Sequence, residues 1–129
     1  MFRLSSMKVG LTPPIEYKTV TASESYAVGE ALKLSSGKVT LCSGAVKPEF
    51  VCVGPANDAG EVPCVAVQDY MEFETTLAVA PADSATIGVG DKVTIHTDGM
   101  QVTATKTSGV AQIVALDGQA VGDRVVVKF

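Results

Sequence analysis

Apolar and polar residues alternate along most of this chain with a period of two, and glycine-bearing turns break the alternation every few residues. That combination restricts the chain to short strands joined by tight turns, because a period of two sends successive side chains to opposite faces of a pleated strand. In "KVTIHT" Val93 and Ile95 share one face while Lys92, Thr94 and His96 share the other. In "MEFE" Met71 and Phe73 oppose Glu72 and Glu74, and in the last strand Val125, Val127 and Phe129 oppose Arg124 and Lys128. The richness in Val and Thr suits such half-buried pleated surfaces.

Turn chemistry divides the strands. "SSG" at 35–37 joins "EALKL" to "KVTLCS", and "TDG" at 97–99 joins "KVTIH" to "MQVTAT". "GPANDAG" at 54–60 and "LDGQAVGD" at 116–123 are longer loops. The pattern predicts an all-β fold, a small antiparallel β-barrel or β-sandwich of about nine to ten short strands. Helical signals are sparse. At most one or two short helical turns are expected, one in "ASESYAVGEAL", where Ser23 is a candidate cap and Gly29 arrives too early for a longer helix, and one in "APADSA" at 80–85.

One phrase occurs three times: "VGEALKL" from Val28, "VGDKVTI" from Val89 and "VGDRVVV" from Val121. In each, Gly is expected at a sharp bend into a strand, and the acid after it (Glu30, Asp91, Asp123) is expected to accept backbone N–H bonds in the turn. The first two copies continue through a Gly-containing turn into a second strand. They are either a duplicated hairpin or one local solution reached twice.

At 129 residues the chain has the length of one domain. The body is expected over 16–129, with 1–15 as an N-terminal arm or edge segment set off by Pro13-Pro14. Phe2, Leu4, Met7, Val9 and Leu11 make that segment apolar enough to need a partner. It is an extra edge strand of the same domain, or an arm that pairs with a neighbouring protein. The terminal strand is expected to pair on both sides or close the barrel, with Phe129 in the core.

Apolar residues make up 47% and charged residues 19%, the balance of a globular protein rather than a disordered one. No apolar run approaches the roughly 18 residues of a membrane helix, and the N-terminus lacks a signal-peptide core, so assembly in a cytoplasm is expected. The formal charge is −4 and the ten Lys and Arg are scattered singly, which disfavours nucleic acid and anionic membranes as partners. The three cysteines, Cys42, Cys52 and Cys64, lie in apolar runs at spacings unlike a Cys-x-x-Cys site, so they are expected to be reduced and buried.

A catalytic constellation is not legible. The lone histidine, His96, falls on the outer face with Lys92 and Thr94, and no nucleophile elbow accompanies it. Glu72 and Glu74 read as solvated rather than as metal ligands, and "GVGDK" at 88–92 precedes a strand instead of the helix a phosphate cradle needs. No Trp is present to form a sugar-stacking platform. The expectation is a structural or interaction protein: no enzyme, no cofactor and no metal.

The order of "YAVGEALKLSSGKVTLCSG", "FVCVGPANDAGEVPCVAV", "MEFETTLAV", "IGVGDKVTIHTDGMQVTAT" and "GVAQIVALDGQAVGDRVVVKF" resembles the capsid decoration, or cement, proteins of tailed bacteriophages. The similarity covers roughly residues 17–129 and rests on the order of common turn-plus-strand phrases. It implies a virion protein on the outer capsid surface, assembled in the host cytoplasm, a homotrimer that bridges major capsid protein subunits. Some family members lay an N-terminal arm on the capsid. Here that role would fall to Phe2, Arg3, Leu4, Met7, Val9 and Leu11, a reading that rests on the composition of the segment. The competing classes are a head-fibre base or host-glycan-binding module, and a β-barrel enzyme or small-molecule carrier.

Overall fold

A computed structural model describes residues 1–7 and 12–129. The described residues form eleven strands and no helix. The first seven are β1 (Arg3–Met7), β2 (Ile15–Thr19), β3 (Ala31–Ser35), β4 (Lys38–Leu41), β5 (Phe50–Cys52), β6 (Glu61–Ala66) and β7 (Met71–Val79). The remainder are β8 (Lys92–Val93), β9 (Val102–Thr103), β10 (Ala111–Leu116) and β11 (Arg124–Lys128). The two helical turns expected near Ser23 and 80–85 are absent. Ser23 (φ 64°) and Asp83 (φ 52°) hold left-handed backbone that a right-handed helical turn does not accommodate.

Two sheets organise the chain. One runs β1-β7-β11-β10-β8, with β9 pairing in parallel to the far end of β7. The other runs β2-β6-β5-β3-β4, all antiparallel. This second sheet curls until its outer strands meet: Val20 bridges Val39, and the Thr21 N–H donates to Val39 O at 3.2 Å. Tyr26 Oη seals the same seam, donating to Val39 O at 2.6 Å.

The curled sheet is a small barrel with its own core, which explains why its strands read as unbroken apolar runs. Leu32, Val39, Phe50, Cys52, Val62 and Cys64 fill the interior. The alternate residues Ala31, Val51 and Val65 point outward and join a larger core. That core is closed from the other side by Phe73, Leu77, Ile113, Val125 and Val127 of the first sheet and by Phe2 just before β1. Both faces of β5, β6 and the start of β3 (Ala31 and Leu32) are therefore buried, and the buried cysteines are part of this arrangement. β11 pairs with β7 on one side and β10 on the other, and Phe129 sits 5.3 Å from the Phe2 ring in an edge-to-face contact.

The thrice-repeated phrase is one turn built three times: Ala27–Glu30, Gly88–Asp91 and Ala120–Asp123. Gly29 (φ 86°), Gly90 (φ 96°) and Gly122 (φ 91°) take the position that demands positive φ. Each glycine N–H donates to a carbonyl of a neighbouring segment: Cys52 at 2.7 Å, Ile113 at 2.8 Å and Leu77 at 2.8 Å. The N–H of that same residue returns a bond to the carbonyl of the acid, at 2.9, 2.8 and 3.0 Å. Each acid's carboxylate accepts the N–H of the first turn residue at 2.9 Å. The turn thus staples the start of β3, β8 and β11 to a neighbour. The first two copies continue into hairpins, turning at Ser36-Gly37 and at Thr97–Gly99, while the third continues as the single strand β11.

Candidate docking cleft beside the first strand

Residues 2–7 are built into the fold. Of the two roles expected for the segment 1–15, the edge strand is the one seen over residues 3–7: β1 pairs antiparallel with β7 from Arg3 opposite Glu74 to Met7 opposite Met71. Phe2 is only 2% exposed, and its N–H donates to Gly29 O at 2.8 Å. Leu4 and Met7 are half-buried against the main core. Arg3 is exposed and ion-paired with Glu74, which also receives Arg124 Nε at 2.7 Å. Val9 and Leu11 lie outside the described residues. Ile15 belongs to β2 and so to the body.

β2 is the additional strand, and its alternation is inverted relative to burial. Ile15 and Tyr17 are each 57% exposed, whereas Glu16 and Lys18 are half-buried. Lys18 Nζ stands 4.8 Å from the Phe50 ring centroid and 3.1 Å from Glu16 Oε1, so the charged residues line the barrel end while the apolar ones face out. Register extends this apolar face across three strands. Ile15 lies opposite Val65, and Val65 opposite Val51. In the next row Tyr17 lies opposite Pro63, whose carbonyl accepts the Val53 N–H.

Where this face meets β1 there is an apolar cleft of about 250 Å³. Phe2, Val51, Val65 and Phe73 line it together with the exposed side chains of Met1, Val28 and Val53. Its one lining residue with a charged side chain, Arg3, is already paired. Among the described residues β1 is laddered on one side only, to β7, leaving an open strand edge beside the cleft. An apolar trough next to an open edge can accept an extended segment, with backbone bonds supplying affinity and the trough selecting side chains.

The outer face of the first sheet is differently made. It carries an ion-pair chain from Arg3 through Glu74 and Arg124 to Asp117. The hydrogen bond from Arg124, with the charge of Arg3, holds the Glu74 carboxyl below its usual range. Glu72 accepts from Ser6 Oγ at 2.8 Å, so the two glutamates have separate partners rather than a shared one. His96 is half-buried near the Thr97–Gly99 turn, where its backbone bonds Gln101 and Gly99. Among the described residues no group of three or more His, Cys, Asp or Glu is placed to hold a metal ion. Every buried side-chain N or O atom described has a hydrogen-bond partner.

Of the residues expected from the sequence to bind a partner, Phe2, Arg3 and Leu4 line this cleft, whereas Val28 and Val53 in its lining and Ile15 and Tyr17 on the adjoining face were not foreseen. The available signal was "IEYKT" itself, an alternating strand whose apolar set turned out to have no core to face. Comparison with protein families, characterised proteins and solved structures finds no match for this chain.

Proposed function

We propose that the protein is a capsid decoration protein: it binds the outer surface of a tailed-phage head and bridges neighbouring major capsid protein subunits, acting as a homotrimer. The carrying observation is the exposed apolar face of Ile15, Tyr17, Val28 and Val53 beside a cleft, with a strand edge left unpaired among the described residues, on a body whose described buried side-chain N and O atoms all have partners. An extended segment of the capsid protein is the occupant that this cleft suits. The order of turn and strand phrases along residues 17–129 supports the same reading. Clamping asks for a rigid scaffold and apolar anchors rather than a reacting group, and three copies in a trimer multiply weak contacts by avidity.

The contact assigned from sequence to a detached arm moves, in this reading, to the strip and cleft, because Phe2 is committed to the core. The test is co-sedimentation with expanded heads assembled from the major capsid protein of the same virus. Wild type is expected to pellet with heads and raise their resistance to heat. Tyr17→Glu is expected to stay in the supernatant with its own melting temperature unchanged. Absence of wild-type binding to every capsid form refutes the proposal.

A further inference from the structure

Cys52 and Cys64 face one another across the β5–β6 ladder. The next pair along, Val53 with Pro63, carries the narrow bond from Val53 N–H to Pro63 O at 2.9 Å. Pairs alternate along an antiparallel ladder, so Cys52 and Cys64 occupy a non-hydrogen-bonded site. The Cys52 N–H confirms this by pointing the other way, donating to Glu30 O at 2.9 Å. In such sites the Cα atoms lie about 4.5 Å apart, within the span a disulfide bridges. Both side chains enter the barrel interior and are fully buried, whereas Cys42 belongs to the other core.

We propose that Cys52 and Cys64 are a latent cross-strand disulfide, a modification site whose state is set when the chain folds. The oxidant is a small-molecule disulfide such as oxidised glutathione. One cysteine thiolate attacks it, forming a mixed disulfide and releasing one reduced thiol. The second cysteine thiolate then displaces the other thiol. One S–S bond is broken, one is formed, two protons leave the cysteines, and their two electrons reduce the oxidant.

Inside the folded barrel neither step proceeds. The thiols have no solvent access, and burial together with the neighbouring Cys52 pushes Cys64 up to about 12, so thiolate is scarce. The folded dithiol therefore persists in an oxidising medium, and a bond once made is equally shielded from reductant. Folding in a reducing cytoplasm yields the dithiol form, and folding under oxidising conditions yields the stapled barrel.

The test uses Cys42→Ala, which leaves only this pair, unfolded and refolded in either oxidised-glutathione buffer or reductant. Mass spectrometry and a non-reducing peptide map are expected to show the Cys52–Cys64 bond after oxidised refolding. The melting temperature is expected to rise by about 5–15 °C over the dithiol form, as a short closed loop constrains the unfolded chain. Folded protein held in the same oxidised buffer is expected to stay a dithiol. Glutathione adducts without the bond, a bond that lowers the melting temperature, or failure to refold only in the oxidised buffer overturns the proposal. So does rapid bond formation in the folded protein.

Discussion

Replacing Phe2 by Ala tests whether the N-terminal segment is core or appendage. The Phe2 ring is 2% exposed, sits 5.3 Å from Phe129 edge-to-face, and shares the main core with Phe73. Truncating a buried aromatic in such a setting removes its transfer free energy and leaves a cavity, at a cost of about 3–5 kcal/mol. For a domain of this size each kcal/mol moves the midpoint by about 3–5 °C, so the melting temperature should fall by about 10–20 °C. Phe2→Leu keeps most of the apolar volume and should lose only about 1–1.5 kcal/mol. Thermal melts followed by circular dichroism, with urea titration as a second measure, read both variants. A Phe2→Ala protein melting within about 2 °C of wild type would show that Phe2 does not contribute to this core. By the same reasoning, removal of residues 1–7 should unfold the domain rather than merely weaken its attachment to a partner.

Three further outcomes follow from the geometry. Gly90→Ala and Gly122→Ala place the new Cβ in open space, so each should cost only the positive-φ penalty of about 1–2 kcal/mol by urea titration, whereas Gly29→Ala should cost more because its Cβ would lie 1.9 Å from Met1 Cγ. Three equal and negligible costs would refute the shared turn. Glu30 is buried, and burial raises its carboxyl above the usual value, so the folded state binds the proton more tightly than the unfolded one. Ionised Glu30 therefore costs stability above its folded value, and the cost fades as pH falls toward the unfolded value; Glu30→Gln should gain stability near neutral pH and lose that gain by about pH 4, as denaturation midpoints across pH would show. A Glu30→Gln penalty constant across pH would refute this. Tyr17→Glu should change the melting temperature by less than about 2 °C, since an exposed substitution of this kind shifts stability by about 0.5 kcal/mol or less; a large drop would place Tyr17 in the core.

Much of the fold was legible because its signals are local. The alternation of Met71, Phe73 and Leu77 against Glu72, Glu74 and Thr76 reproduces the burial of β7. The Val-Gly-acid phrase reports a turn whose glycine, carboxylate and flanking bonds recur at all three places. β2 was not legible as an element, since Pro13-Pro14 precede it and its apolar residues face solvent. The apolar character of Phe2, Leu4 and Met7 was plain, but composition alone could not say whether their cover was the chain's own core or a neighbour. Long-range pairing decided it, bringing β1 against β7 and Phe2 against Phe129.

Sequence alone determined that this chain would be short strands joined by stapled turns, with its cysteines inside, because backbone conformation and side-chain alternation are set by residues a few positions apart. Only the tertiary structure decided which faces are wet. Curling the second sheet into a barrel gives both sides of β5, β6 and the start of β3 a core and leaves Ile15 and Tyr17 without one. Burial depends on neighbours delivered from distant parts of the chain, and a local pattern of apolar and polar residues carries no information about them.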